Sequence, residues 1–175
     1  MPLDILSLRN RKIILGISGS IAAYKSLEVL RLLIREGAKV YVVMSANASK
    51  FITPLTFEAL SGNPVYDQVF DSNPSPSMEH IRVAESADLL LCAPATAGMI
   101  GKMANGIADD ALSNLFIAFC GPSIVAPAMN DGMYANPAVR ANIDKMKKRG
   151  IEFIEPEYGE LACGSIGQGR LAEPQ

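Results

Sequence analysis

Hydrophobic positions along the chain fall into two patterns: short runs that are apolar throughout, and longer stretches with helical spacing. The apolar runs predict five strands, over Lys12 to Gly16, Lys39 to Met44, Asp88 to Cys92, Ser123 to Ala126 and Ile151 to Ile154. A half-buried strand would alternate apolar and polar residues, whereas these runs are continuously apolar. That pattern is typical of a parallel sheet covered on both faces.

The stretches with helical spacing lie between the predicted strands. They predict helices over Ile21 to Glu36, Phe51 to Leu60, Glu79 to Ser86, Met99 to Met103, Ile107 to Phe119 and Pro137 to Arg149. Gly37 follows the first of these as a natural C-cap, and turn formers from Asp71 to Ser77 predict a loop. With neither an internal repeat nor a linker in the sequence, we expect residues 1–175 to form one α/β domain. Ligands of such sheets bind beyond the carboxyl ends of the strands, near the switch in strand order.

Composition and charge disfavour several classes of partner and site. The chain has 175 residues, 49% of them hydrophobic, and a formal net charge of −2 with scattered basic residues, so nucleic acid and anionic membranes are disfavoured as partners. Three cysteines without a C-x-x-C spacing and a single histidine predict no disulfide framework and no metal site. The sequence has no apolar signal core and no apolar run of 18 residues, which predicts a reduced, cytoplasmic protein.

Three predicted strands end in loops that could hold a ligand. Gly16-Ile-Ser-Gly-Ser20 opens a helix and offers hydroxyls and backbone N–H groups to a phosphate, although it is neither G-x-G-x-x-G nor a Walker loop. Ser45 follows the second strand, and Thr96 lies in the small-residue segment Ala93 to Ala97. Each loop could instead be a plain connection between strand and helix. Together they predict one shared crevice.

Cys163 differs in its setting from the other two cysteines. Cys92 and Cys120 end apolar segments, so we expect both to be buried. Cys163 lies in a loop that holds four glycines, at positions 159, 164, 167 and 169. A mobile flap of this kind could carry a thiol to a substrate as a proton donor. The alternative is a free cysteine in a surface loop.

Two further polar residues are candidates for chemistry. Asn130 follows the strand that ends near Pro127, and its amide could hold a carboxylate or could simply favour the Asp131-Gly132 turn. His80 is the one side chain that exchanges protons near neutral pH without a shifted pKa, but a structural histidine is the more common case. By pattern alone, Met133 and Tyr134 are packing residues.

Four separated motifs resemble the phosphopantothenoylcysteine decarboxylases, a family of flavin-containing cysteine decarboxylases. They are GISGSIAAYK, the stretch from Ala93 to Asp110, PAMNDGMYANP, and LACGSIGQGRLAEP. The bacterial form, which this chain resembles most, is often the N-terminal half of a fusion with phosphopantothenate–cysteine ligase. The resemblance implies a flavodoxin-like (Rossmann-like) three-layer α/β/α subunit with a parallel sheet. It also implies bound FMN, trimers or dodecamers built from trimers, sites between subunits, and a fused or associated ligase.

The resemblance also implies a reaction and residue roles. The reaction converts N-[(R)-4-phosphopantothenoyl]-L-cysteine to 4′-phosphopantetheine, a step of coenzyme A synthesis. His80 would be the acid/base, Asn130 would hold the substrate carboxylate with Met133 nearby, and Cys163 would protonate the enethiol. The residues implied to contact FMN are Ser18, Gly19, Ser20, Ser45, Thr96, Ala97, Gly98, Met99 and Ala128. Members commonly have Asn where this chain has Gly98, so we expect the flavin contacts to differ there, and members often have Trp where it has Tyr134.

Other readings compete with this one. A peptidyl-cysteine decarboxylase stops at the enethiol and needs no reducing cysteine, so the LACG segment favours the full reaction. A flavin prenyltransferase shares a GISG-type start but not the PAMN and LACG segments. A non-catalytic, flavin-binding regulator of the same fold would tolerate loss of His80 or Cys163, and both are present.

Overall fold

The structure, a computed structural model, describes residues 8–67 and 79–174, apart from the side chains of residues 79–81. Its strands are β1 Lys12–Ile17, β2 Lys39–Met44, β3 Leu89–Ala95, β4 Ser123–Pro127, β5 Glu152–Phe153, β6 Glu157–Glu160 and β7 Ile166–Arg170. Its α-helices are α1 Lys25–Arg35, α2 Pro54–Ser61, α3 Glu79–Ser86, α4 Ala97–Asn105, α5 Ala111–Ala118, α6 Asp131–Ala135 and α7 Pro137–Lys148. Short 3-10 turns precede α1 and α2, at Ile21–Tyr24 and Ala48–Lys50.

Five of the strands form one parallel sheet in the order β2-β1-β3-β4-β5. This is the flavodoxin-like order, which reverses between β1 and β3. The predicted fold class is therefore confirmed. Because the order reverses there, the chain leaves β1 and β3 toward opposite faces, and a crevice opens between the two strand ends.

Apolar side chains cover both faces of this sheet, as the continuously apolar strands predict. On one face, Ile14 and Val125 pack against residues of α4, α5 and α7 such as Ile100, Leu115 and Ile143. On the other face, a second cluster includes Leu15 of β1, Leu30 of α1 and Phe57 of α2. Each of the two faces is thus closed by helices, and the core residues are almost fully buried.

The ends of several elements differ from the predicted ones for local reasons. The predicted first helix is a 3-10 turn that continues into α1, and Gly37 beyond it has the positive φ of +88° expected of a C-cap. The predicted helix from Phe51 begins only at Pro54, because proline disfavours helical backbone at the residue before it but suits the first turn. Helix α5 begins at Ala111 because Asp110 caps it.

Two predictions about loops were wrong. Strand β3 continues through Pro94 to Ala95, with an irregular register after Cys92, rather than stopping at Ala93-Pro94. The glycine-rich segment predicted as a loop is the antiparallel hairpin β6–β7, in which Gly164 lies in the turn. The predicted loop from Asp71 to Ser77 lies outside the described residues. Within the described ranges, none of the helices is long and apolar enough to cross a membrane.

Candidate active site

The turns that follow β1 and β3 are joined at the switch point by one serine. The hydroxyl of Ser18 donates a hydrogen bond to the Pro94 carbonyl (2.8 Å) and accepts one from the Thr96 backbone N–H (2.9 Å). The backbone N–H of Ser18 donates to the same carbonyl at 3.1 Å. Ser18 is 1% exposed, so its hydroxyl is an internal connector between the turns rather than a group open to a ligand.

Gly19 and Ser20 form the floor of the cleft beside this connection. A Cβ at Gly19 would lie 2.5 Å from Cβ of Asn47, so only glycine lets the β1 turn approach the turn after β2. The Ser20 hydroxyl accepts from the Ala22 N–H and begins the helical segment that runs on into α1. On the β3 side, the Thr96 hydroxyl caps α4 by accepting from the Met99 N–H.

Asn130 follows β4, and the oxygen and the nitrogen of its side-chain amide make different hydrogen bonds. Its Oδ1 accepts from the Gly132 N–H at 2.9 Å and so caps α6. Because an N–H can pair only with the amide oxygen, this bond fixes the orientation of the amide. Its Nδ2 therefore faces the cleft, where it donates to Sγ of Cys163 at 3.1 Å. The prediction of Asn130 as a turn residue is confirmed, and its amide nitrogen also lines the cleft.

The hairpin β6–β7 packs directly against the segment that carries Asn130. The Met129 N–H donates to the Gly169 carbonyl at 2.9 Å. A Cβ at Gly169 would lie 2.1 Å from the Met129 carbonyl oxygen, and one at Gly167 would lie 2.5 Å from Cβ of Asp131. These two glycines permit the close approach that brings the hairpin turn to Asn130, which explains two of the four glycines noted in the sequence.

Cys163 lies in the hairpin turn, among hydrogen-bond donors. Its Sγ is 3.1 Å from Oγ of Ser165 and 3.1 Å from Nδ2 of Asn130. Hydrogen bonds from the hydroxyl and backbone N–H of Ser165, and then from Asn130, hold the pKa of the Cys163 thiol below its usual value. Burial instead raises the pKa of Cys92 to about 12, so that thiol is inert. The two cysteines differ as the sequence predicts.

Cys120 is exposed, which contradicts its predicted burial. Helix α5 ends at Ala118, and Phe119 supplies the last buried side chain of this segment. Cys120 comes next, in the turn before β4, and faces solvent. Burial along this apolar segment therefore ends at Phe119, one residue before Cys120.

An open cleft of about 710 Å³ lies between these parts. Its lining residues come from the β1 turn and the helical segment after it, from the end of the 3-10 turn after β2, from the ends of β3 and β4 with α6, and from the hairpin and the residue after it. They are Gly19, Ser20, Ile21, Ala22, Tyr24, Lys25, Phe51, Thr96, Ala128, Met129, Asn130, Met133, Glu160, Leu161, Ala162, Cys163, Gly169, Arg170 and Leu171. The volume falls within the usual range for a small-molecule site.

Seven of the residues predicted for the site meet in this cleft. They are Gly19, Ser20, Thr96, Ala128, Asn130, Met133 and Cys163. Met133 is 48% exposed, so its interpretation as a packing residue was wrong, whereas Tyr134 is buried as predicted. The side chain of His80 lies outside the described residues, and its backbone belongs to α3.

The remaining predicted residues do not line the cleft. Ser45 is buried beside the end of β1 and caps the Ala48 N–H. Met99 is 4% exposed and packs in the core beneath α4. Ala97 and Gly98 stand at the start of α4, where a Cβ on Gly98 would meet open space.

The sequence does not predict two sets of contacts at the cleft, those of Lys25 and those of Ser165. Lys25 is 6% exposed, and its Nζ donates to the Leu171 carbonyl (3.1 Å) and to Glu173 (2.7 Å), which fixes the chain after the hairpin. Glu173 also pairs with Arg170. Ser165 lies within the LACGSIGQGRLAEP motif, and its hydroxyl reaches Cys163 at 3.1 Å. A lysine within an amphipathic helix carries no local signal for a partner that lies almost 150 residues away.

Fold and site together define a class: a flavodoxin-like protein with a small-molecule cleft at the switch point of its sheet, bearing a thiol and an amide. The profile of the Flavoprotein family matches residues 6–175. The chain belongs to the Flavoprotein family.

Individual relatives agree with this assignment. The coenzyme A biosynthesis bifunctional protein CoaBC of Vibrio vulnificus (strain YJ016) is 49% identical over 96% of the chain. The chain spans about 42% of the length of that relative. A solved PPC decarboxylase mutant in complex with pantothenoylaminoethenethiol is 32% identical, with a TM-score of 0.82, over 95% of this chain and 93% of that one. The crystal structure of SpaF, an FMN-dependent cysteine decarboxylase, is 31% identical with a TM-score of 0.81, over 92% and 91% of the two chains. The family resemblance seen in the sequence is confirmed.

Proposed function

We propose that this chain is a single FMN-binding domain that decarboxylates phosphopantothenoylcysteine to 4′-phosphopantetheine, a step of coenzyme A synthesis. The observation that carries the proposal is the contact between Asn130 and Cys163 at the cleft, with 3.1 Å between amide nitrogen and sulfur. An amide that can hold a carboxylate thus stands beside a thiol that can give a proton. The similarity to CoaBC and to an enethiol-bound PPC decarboxylase supports the choice of substrate.

The cleft suits a flavin mononucleotide. The phosphate would lie at the β1 turn, where Gly19 keeps the backbone close and Ser20 begins a helical segment. Thr96 and Ala128, at the ends of β3 and β4, leave a surface of small residues for a flat ring. Ser18 would act indirectly, by holding the two turns together. Bound FMN would supply a two-electron oxidation of the substrate's cysteinyl thiol and the later return of those electrons.

Asn130 holds and orients the substrate carboxylate in this proposal. The amide NH₂ group has two hydrogens, so it can donate one to the carboxylate and keep the other on Cys163. Direct loss of carbon dioxide would leave an unstabilised carbanion. The oxidised substrate, a thioaldehyde, accepts that electron pair and becomes an enethiolate when carbon dioxide leaves.

Cys163 supplies the proton that completes reduction of the enethiol. Its lowered pKa makes it a better acid than an ordinary thiol, and its hydrogen-bond donors stabilise the thiolate that remains. His80 would be the acid/base for the earlier steps. We assign it that role from the motif resemblance. Its helix, α3, directly precedes β3 in the chain.

Assembly and fusion belong to the proposal as well. Ile21, Tyr24 and Phe51 line the cleft and are each at least half exposed, so a second copy of the chain would bury apolar surface and close the site. This supports the trimer, or a dodecamer of trimers, that the resemblance predicts. A phosphopantothenate–cysteine ligase, fused or associated, would supply the substrate, in keeping with the bifunctional relatives.

The test is to incubate purified, FMN-loaded protein with phosphopantothenoylcysteine and to follow the product by mass spectrometry. We expect 4′-phosphopantetheine. A peptide that ends in cysteine is offered in parallel. Conversion of that peptide alone would favour the peptidyl-cysteine decarboxylase reading, and conversion of neither would favour the non-catalytic regulator.

A matched pair of variants isolates the role of Asn130. Asn130 and Asn136 each cap a helix through Oδ1, by accepting from the N–H two residues on at 2.9 Å. The substitutions Asn130→Ala and Asn136→Ala therefore remove similar caps, each worth about 1 kcal/mol. Because only Asn130 lines the cleft, Asn130→Ala should abolish turnover, and Asn136→Ala should leave it close to that of the parent.

A further inference from the structure

The hydroxyl of Ser165 stands between the Cys163 thiol and the Asp131 carboxylate. Oγ of Ser165 is 3.1 Å from Sγ of Cys163 and donates a hydrogen bond to Oδ1 of Asp131 at 3.2 Å. A serine hydroxyl has one hydrogen and two lone pairs. While its hydrogen is on Asp131, Ser165 can face the sulfur only as an acceptor of the S–H hydrogen.

Packing holds this arrangement in place. Asp131 is the first residue of α6, and Gly167 of β7 passes so close that a Cβ there would lie 2.7 Å from Oδ2 of Asp131. The hairpin turn is closed by the Leu161 N–H on the Ser165 carbonyl and by the Gly164 N–H on the Leu161 carbonyl, both at 2.8 Å. Cys163 is exposed, whereas Ser165 and Asp131 are half-buried behind it.

We propose that Asp131 and Ser165 are positioning residues with opposite effects on Cys163: Asp131 favours the protonated thiol between turnovers, and the Ser165 hydroxyl stabilises the thiolate after the proton has left. The proposal deepens the function proposed above and rests on Cys163 as the proton donor. Before transfer, the hydrogen bonds run from the thiol to Ser165 and from Ser165 to Asp131. During transfer, the proton moves from sulfur to the substrate carbon, and its electron pair stays on sulfur. The Ser165 hydroxyl then turns from the carboxylate to the thiolate, and a proton from water restores the first state.

The two residues should therefore act on the thiol in opposite directions. Removing the Ser165 hydroxyl takes away a donor to the thiolate, which raises the pKa of Cys163. Removing the charge of Asp131 takes away a nearby anion and a competitor for the hydroxyl hydrogen, which lowers it. The charged groups that line the cleft are Lys25, Glu160 and Arg170, and both cations pair with Glu173.

The experiment measures the pKa of Cys163 in flavin-loaded protein by its alkylation with iodoacetamide across a pH series. A Cys120→Ser background removes the other exposed thiol, and peptide mass mapping locates the label. We expect Ser165→Ala to slow alkylation of Cys163 near neutral pH several-fold, and Asp131→Asn to speed it. Ser165→Thr, which keeps a hydroxyl, should restore the parent pKa.

Two controls make the result specific. Glu160→Gln removes a carboxylate that lines the cleft and should shift the pKa of Cys163 less than Asp131→Asn. In the Ser165→Ala background, Asp131→Asn should have a smaller effect than on its own, because the hydroxyl that links them is gone. The proposal is overturned if Ser165→Ala and Asp131→Asn leave the pKa unchanged or move it in the same direction, or if Glu160→Gln acts as strongly as Asp131→Asn.

Measurements of turnover distinguish failure of this proposal from failure of the proposed function on which it rests. In a single turnover, with flavin-loaded protein in excess over phosphopantothenoylcysteine, Ser165→Ala should slow formation of 4′-phosphopantetheine while carbon dioxide is released at the parent rate. Release slowed to the same extent as reduction would overturn the assignment. If the parent converts no substrate at all, the proposed function fails, whereas opposed pKa shifts would still establish the pair.

Discussion

The two sides of the cleft are built in different ways. On the side of β1 and β3, the turns are fixed by the sheet and joined by the buried hydroxyl of Ser18. On the other side, Asn130 and Cys163 belong to segments 33 residues apart, which meet because glycines of β7 let the hairpin approach α6 closely. We call these two parts the strand-end side and the hairpin side.

The comparison shows where each kind of group is placed. On the strand-end side, the buried Ser18 hydroxyl fixes the two turns to each other, which suits a resident cofactor. The hairpin side carries the exposed thiol and a half-buried amide, whose contacts can be exchanged for substrate. Burial fixes the geometry of the first side, and a few polar contacts tune the acidity of a group on the second.

Gly169→Ala should have the largest effect, because it breaks the hairpin side at its closest approach. The added methyl would lie 2.1 Å from the Met129 carbonyl oxygen, so the hairpin must move and Cys163 must leave Asn130. We expect a loss of about 3 kcal/mol in the free energy of unfolding, measured by denaturant titration, together with loss of turnover. Gly101→Ala on α4 is the control, since its nearest neighbour would be 3.7 Å away. Equal stabilities of the two variants would show that the hairpin is not held in this way.

Ser18→Ala should have the next largest effect, because it breaks the strand-end side. The variant leaves the Pro94 carbonyl and the Thr96 N–H without their buried hydroxyl partner, which costs about 2 kcal/mol. We expect weaker FMN retention, followed by flavin absorbance after dialysis, because the two turns are no longer joined. Thr56→Ala, at an exposed hydroxyl on α2, should retain flavin like the parent. Full retention of FMN by Ser18→Ala would contradict the role of the Ser18 hydroxyl in joining the two turns.

Glu173→Gln should have a smaller effect, confined to the chain after the hairpin. It removes the negative charge that faces the almost buried Lys25 ammonium, which keeps only neutral hydrogen-bond acceptors such as the Leu171 carbonyl. We expect the melting temperature to fall by a few degrees. Lys25 and Arg170 hold the pKa of the Glu173 carboxyl below its usual value, so the parent's advantage should shrink as the pH falls through that lowered pKa. Glu152→Gln on β5 serves as a control, and an equal fall in both variants would contradict the account.

Asp88→Asn should have the smallest effect, because it lies at the amino end of β3, away from the cleft. The Lys12 N–H (2.7 Å) and then Arg11 (3.0 Å) hold the pKa of Asp88 below its usual value. This contribution to stability is therefore complete above the unfolded pKa of about 3.9 and is lost as the pH falls through the lower folded value. Acid unfolding of the variant should be less steep in that window, with turnover at neutral pH unchanged. A change in turnover would show that the two ends of the sheet are coupled.

The sequence predicts the strand-end side better than the hairpin side. Continuous apolar runs and helical spacing suffice to predict the parallel sheet, and loops such as the one containing Ser20 follow from its geometry. Strand β3 beyond Pro94 could not be predicted, because the rule that proline ends a strand is local and a register irregularity overrides it. The hairpin could not be predicted either, because Gly167 and Gly169 look like loop residues until the segment they pack against is known.

Individual polar residues show the same limit. Cys163 and Asn130 could be singled out by type and by motif, but their contact at 3.1 Å depends on long-range packing. Ser165 and Lys25 carry no distinguishing local pattern, and their roles emerge only from partners distant in the sequence. Cys120 is exposed because α5 ends at Ala118, one residue before the predicted helix end at Phe119.

The most direct test of the account is the product made by Cys163→Ser, with Cys120→Ser as the matched control at the other exposed cysteine. Flavin-loaded protein is given less phosphopantothenoylcysteine than it holds flavin, so that each site turns over once at most, and carbon dioxide and product mass are followed together. The account predicts that Cys163→Ser still releases carbon dioxide but accumulates a product lighter than 4′-phosphopantetheine by two hydrogens, whereas Cys120→Ser forms 4′-phosphopantetheine like the parent. Release of 4′-phosphopantetheine by Cys163→Ser at the parent rate would contradict the account.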